Sequence, residues 1–122
     1  HKLILNSGNT TYSGLYLPVR LTIKVLHVFS QLIYKNSPAF NLLLDDALPN
    51  IQKLQNITAP TLVLNSQFDV VKTAHAREIA KNIPHSQLLI IPWGSHLTFY
   101  FRPNNFSKLV CDFLEGAVNP VD

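Results

Sequence analysis

Two side chains suited to acid–base work each follow a short apolar run. Asp69 closes Leu62-Val63-Leu64-Asn65-Ser66-Gln67-Phe68-Asp69, and His96 closes Leu88-Leu89-Ile90-Ile91-Pro92-Trp93-Gly94-Ser95-His96. A histidine changes charge near neutral pH and can take up or return a proton during a reaction. A carboxylate on its second ring nitrogen fixes the tautomer and stabilises the imidazolium that forms. Such a pair activates a nucleophile, and no matching nucleophile stands beside these two residues. Taken singly, an Asp after a strand is most often a turn former or cap, and a His in a loop is most often solvated. Their equivalent placement, with a helix-like segment between, favours the pair.

The elements that must position them can be read from hydrophobic spacing. Lys2 to Asn6 reads as a short buried strand, closed by Asn6-Ser7-Gly8-Asn9. Leu17 to Ile33 carries Leu21, Val25, Val28, Phe29 and Leu32 at helical steps, with Pro18 in the first turn and Asn36-Ser37-Pro38 as the break. Two further helical pieces are expected from Pro38 to about Asp45 and from about Leu48 to Leu54. After a linker, Thr61 to Asn65 reads as a second strand. Thr73 can cap a helix whose buried face is Ala76, Ile79, Ala80 and Ile83, stopped by Pro84. Gln87 to Ile91 is the third strand, and Pro92-Trp93-Gly94 is expected to turn the chain. Phe106, Leu109, Val110, Phe113 and Leu114 mark an amphipathic helix from about Pro103 to Glu115, with Gly116 as its C-cap.

This alternation predicts an α/β fold: three parallel strands with helices on their faces. The strands are continuous apolar runs, as expected when both faces are covered. Ligand sites in open parallel sheets form beyond the carboxyl ends of the strands. Asp69 lies four residues past Asn65 and His96 five past Ile91, so both belong to that rim. Adjacent strands are about 4.8 Å apart, close enough for ordinary loops to bring carboxylate and imidazole together. Lys2–Asn6 is the expected free edge, open to self-association.

Composition narrows the classes. The chain has 122 residues, one domain or part of one, and 47% hydrophobic against 14% charged residues argues against disorder. The net charge of +3 comes from scattered Lys and Arg with no run or aromatic-interleaved stripe, so nucleic-acid binding is not expected. The single cysteine, Cys111, excludes an internal disulfide and falls in an apolar helical pattern, where it reads as a small core residue. No apolar run approaches the roughly 20 residues that span a bilayer, and no signal peptide opens the sequence, so a cytoplasmic location is the default expectation. His1, His27, His75 and His85 look ordinary, and no His or Cys spacing suggests a metal site. Methionine is absent, and an apolar run begins at Leu3, so the chain is expected to be part of something longer.

Ile57-Thr58-Ala59-Pro60-Thr61-Leu62-Val63-Leu64-Asn65-Ser66-Gln67-Phe68-Asp69-Val70-Val71 resembles the strand and acid loop of α/β-hydrolases. In that family a Pro-x-Leu-x-hydrophobic segment leads to Gly-x-x-Asp and an apolar pair. Ile83 to His96 resembles the segment carrying the family's histidine, at a typical spacing of 27 residues (96 − 69). Asn105 to Leu114 is similar to the family's last helix, and Lys2–Asn6 to the strand after its nucleophile helix. The resemblance covers nearly the whole chain and is strongest from Ile57 to Gly116. It implies a partial α/β-hydrolase fold over residues 1–122, with 14–56 as a small helical cap insertion and 57–122 holding the acid and histidine loops and last helix. It also implies Asp69 as triad acid and His96 as triad base, and no cofactor. Ser66 stands where the family usually has Gly. The family's Gly-x-Ser-x-Gly nucleophile turn is absent from these residues.

The expectation is therefore a C-terminal part of a serine hydrolase that cleaves an ester or related acyl bond. Its small hydrophobic ester-like substrate would be covered by cap residues such as Leu17, Leu21, Phe29 and Phe40. The alternative is a non-catalytic or partner-dependent module, since the fold also serves binding.

Overall fold

A computed structural model of the chain describes residues 1–33 and 50–116. Three parallel strands form one sheet in the order β1 (Leu3–Asn6), β2 (Thr61–Phe68), β3 (Ser86–Ser95). β1 is an outer strand, as expected. The register pairs Leu3 with Thr61 and Asn6 with Leu64, and then Thr61 with Ser86 and Ser66 with Ile91. Helix α1 spans Leu17–Ile33, α2 spans Thr73–Asn82, α3 is one turn at Thr98–Phe101, and α4 spans Pro103–Glu115. Short 3-10 turns lie at Tyr12–Gly14 and Ile51–Asn56.

The central strand holds the core because its pleat sends alternate residues to opposite faces. Val63 packs with Leu54, Ala76, Ile79 and Ile83 on the α2 side. Leu62 and Leu64 pack with Phe113 of α4 on the other. Leu62, Val63 and Leu64 are all at most 1% exposed, as a strand covered on both faces requires. Each such side chain contributes about 1.5–3 kcal/mol relative to leaving it in water. Lys2 fastens β1 to the end of α4: its Nζ donates to the carbonyls of Phe113 and Leu114 at 2.7 and 3.0 Å. A cation there also complements the negative end of the helix dipole. Gly116 caps α4 in the left-handed region (φ +83°), with its N–H directed to the carbonyls of Asp112 and Phe113.

Several expectations are corrected. β2 runs on to Phe68 and β3 to Ser95, so Pro92-Trp93-Gly94 lies within a strand rather than turning the chain. Lys72, not Thr73, is the N-cap of α2. The Lys72 carbonyl accepts the His75 and Ala76 N–H groups, which places Thr73 inside the first turn. The described part of the helix expected over 48–54 is a 3-10 turn, opened by Asn50 Oδ1 accepting from the Gln52 N–H at 3.0 Å. Cys111 is exposed: the buried arc of α4 runs through Phe106, Val110 and Phe113, and Cys111 lies about 100° round from Val110. His75 is buried and tied to the loop after β1, with the Thr10 N–H and hydroxyl 3.2 and 3.0 Å from its Nε2. The α1 stripe exists, but Leu21, Val25, Val28 and Phe29 are each more than half exposed. The helix expected from Pro38 to about Asp45, and Phe40 within it, lie outside the described residues.

Candidate active site

The carboxyl ends of all three strands converge on one carboxylate. Phe68 and Ser95 are register partners at the ends of β2 and β3, so Asp69 and His96 are each one residue beyond a paired position. That alignment depends on a bulge. From Ser66 to Phe68 β2 advances two residues, while its partners on β3 advance four, from Ile91 to Ser95. In unbroken register Asp69 would face Gly94, and His96 would project two residues further along. The two extra residues bring His96 back alongside Asp69. Pro92 has no N–H for the ladder and favours such an interruption. Trp93 takes φ +55°, and its N–H is satisfied by the Gln67 side chain at 3.0 Å.

His96 Nδ1 is 2.8 Å from Asp69 Oδ1. The Asp69 side chain is fully shielded from solvent, while that of His96 is 47% exposed. Oδ1 also accepts the Val71 N–H at 3.2 Å, and Oδ2 accepts the Ser7 hydroxyl at 2.6 Å. Burial pushes the Asp69 carboxyl up. The hydrogen bonds from Ser7, His96 and Val71, with the histidine's charge, more than offset this and hold it below its ordinary value. An ionised carboxylate only accepts hydrogen bonds. The shared hydrogen therefore sits on His96 Nδ1, and in the neutral imidazole this leaves the lone pair on Nε2. That is the tautomer a general base needs.

Ser95 and Thr98 shape the loop that carries the imidazole. The Thr98 hydroxyl accepts the Ser95 N–H and donates to the Ser95 carbonyl, both at 2.7 Å, and lies 3.2 Å from the Ser66 hydroxyl. Gly94 leaves the space for this clamp: a Cβ there would come within 2.7 Å of Thr98 Oγ1 and 2.9 Å of Ser66 Oγ.

The two residues singled out from sequence are thus brought into direct contact. Ser7 was missed as a third member of the cluster. From sequence Ser7 stands out only as a residue of the turn after β1 and, through Ser7-Gly8, as one of two serines that come nearest the absent Gly-x-Ser-x-Gly pattern without matching it. Its N–H bonds the Leu64 carbonyl at 2.8 Å, and its φ is +50°. Ser7 and Trp93 are the two non-glycine residues with positive φ among those described, and both flank this site. Such backbone strain tends to collect at functional sites. Among the described residues no cluster of three or more His, Cys, Asp or Glu could hold a metal ion. No described helix is long and apolar enough to cross a membrane.

No protein-family model matches the chain. The "Putative non-heme bromoperoxidase BpoC" of Mycobacterium tuberculosis is 34% identical over 94 residues, covering 74% of this chain and 36% of that protein. The chain thus spans about a third of the length of that relative. The BpoC crystal structure superposes with a TM-score of 0.58 at 27% identity, over 91% of this chain and 42% of that one. An alpha/beta hydrolase from a metagenome of sediments of the Mar Chica lagoon, Morocco, gives a TM-score of 0.66 at 18% identity, over 94% and 50% of the two chains, a likeness of fold. The esterase RhEst1 of Rhodococcus sp. gives 0.56 at 25% identity, over 65% and 29%. With three parallel strands, flanking helices, and an acid and a histidine at adjacent strand ends, this chain belongs to the α/β-hydrolase fold family.

Proposed function

We propose that this chain carries the acid and base of a serine hydrolase acting on an ester or related acyl bond, with Asp69 as the triad acid and His96 as the base. The contact that carries the reading is the 2.8 Å Asp69–His96 pair, with its carboxylate fully shielded and its imidazole 47% exposed. The serine would come from protein outside these 122 residues. His96 Nε2 takes its proton as the serine oxygen bonds to the acyl carbon. It then returns that proton to the leaving oxygen as the ester C–O bond breaks. Water repeats the sequence: His96 takes a proton from it and returns the proton to the serine as the acid leaves. Asp69 stays ionised throughout and holds the imidazolium. The exposed apolar side of α1, which includes a shallow groove lined by Lys24, Val25, Val28 and Phe29, suits cover for a hydrophobic acyl or alcohol group.

The test is turnover of p-nitrophenyl butyrate by the full-length protein. His96→Ala and Asp69→Asn should each lower kcat by about 10²–10⁴-fold with the circular dichroism spectrum unchanged. Wild-type turnover in the His96→Ala protein rules the mechanism out.

A further inference from the structure

We infer that Ser7 is a positioning residue for Asp69: its hydroxyl locks the carboxylate in the rotamer that presents Oδ1 to His96. The inference rests on the acid–base reading above. A carboxylate turns readily about its last side-chain torsion, and the bonds at Oδ1 from His96 and Val71 grip one oxygen only. The Ser7 hydroxyl, 2.6 Å from Oδ2, grips the other and closes that rotation. It comes from a different strand, 62 residues away in sequence. The Asp69 side chain has no solvent exposure, so water is a poor substitute for the missing donor at Oδ2.

The backbone gives independent support. Ser7 takes φ +50°, a conformation in which glycine is unstrained and a side chain is not. If the position served only to end β1, glycine would serve it better. The strained residue is the one whose hydroxyl reaches the carboxylate.

The two roles separate in the Ser7→Gly variant, which relieves the backbone while deleting the hydroxyl. Ser7→Ala is the companion that keeps a Cβ. In isotopically labelled full-length protein, the nitrogen shifts of neutral His96 report its tautomer, and the Asp69 carboxyl carbon reports its titration. Wild type should show the Nδ1–H form as the dominant tautomer. Ser7→Gly should fold and lose no more stability to urea than Ser7→Ala, yet show a mixture of His96 tautomers and an Asp69 carboxyl that titrates at higher pH. Ser7→Ala should show the same two shifts. If Ser7→Gly keeps the wild-type tautomer and titration, Ser7 is a turn residue only, and the acid–base reading survives without it. If both variants fail to fold, Ser7 belongs to the fold and the inference is overturned. If wild-type His96 shows no preference for the Nδ1–H form, the acid–base reading falls and this inference with it.

Discussion

Gly94→Ala tests whether the His96 loop is held by close packing against β2. A Cβ at this position would lie 2.7 Å from Thr98 Oγ1, 2.9 Å from Ser66 Oγ and 3.1 Å from Ser66 Cβ. Neither neighbour yields easily. Ser66 and Thr98 are 4% and 6% exposed, and the Thr98 hydroxyl is engaged on both sides by Ser95. Overpacking of this kind costs about 1–3 kcal/mol. Losing one Thr98–Ser95 hydrogen bond adds about 1 kcal/mol. The stiffer unfolded chain returns about 0.5 kcal/mol. The net loss is about 1.5–3.5 kcal/mol. With a urea m-value of about 1.5 kcal/mol/M, the midpoint should fall by about 1–2.3 M. The clash has two named partners, so a double-mutant cycle sharpens the assay: in a Ser66→Gly background the same alanine keeps only its contact with Thr98 Oγ1. The coupling between the two substitutions should then reach about 1 kcal/mol. A Gly94→Ala midpoint within about 0.3 M of wild type, at unchanged m, would refute the packing argument. So would strict additivity in the cycle.

The acid limb of stability should belong largely to Asp69. Its folded-state pKa lies below the ordinary value, so between the two values the unfolded chain binds more protons and stability falls as pH falls. The contribution is fully present above the ordinary carboxylate value of about 3.9 and is lost as pH drops through the lower folded value. Urea midpoints measured from pH 6 to pH 2 should therefore slope less in Asp69→Asn than in wild type, and equal slopes would contradict the assignment. Phe113→Ala should cost about 3–5 kcal/mol, because Phe113 is 3% exposed, packs on Leu62 and Leu64, and lies under Lys2 with Nζ 5.1 Å from the ring centroid. Thermal denaturation would show it, and a loss under 1 kcal/mol would mean that α4 does not seal this face.

What sequence could and could not reveal follows the range of the forces involved. The strand–helix alternation was legible because burial on both faces of β2 demands an unbroken apolar run. The Asp69–His96 contact was legible because a residue just past a parallel strand has little choice of rim. The last helix was legible to the residue at both ends, where Pro103 fits the first turn and Gly116 the cap. The bulge in β3 was not. Pro92 reads as a stop, yet the strand continues beyond it, with the Trp93 N–H donated to the Gln67 side chain of the neighbouring strand and Ser95 paired with Phe68. Both contacts are long-range in sequence, and beyond the bulge His96 sits beside Asp69. His75 looks like an ordinary helix residue in the sequence because its partner, Thr10, is 65 residues away. Ser7 follows the same logic at the site itself: a serine after a strand is locally a turn residue, and its hydrogen bond to Asp69 exists only once β1 has paired with β2. Asp69 and His96 could be chosen from the chain one loop at a time, whereas the contacts that hold them arise only between strands. Ser7→Gly and Gly94→Ala should separate aim from packing: the first disturbs aim while relieving the strained backbone, and the second disturbs both.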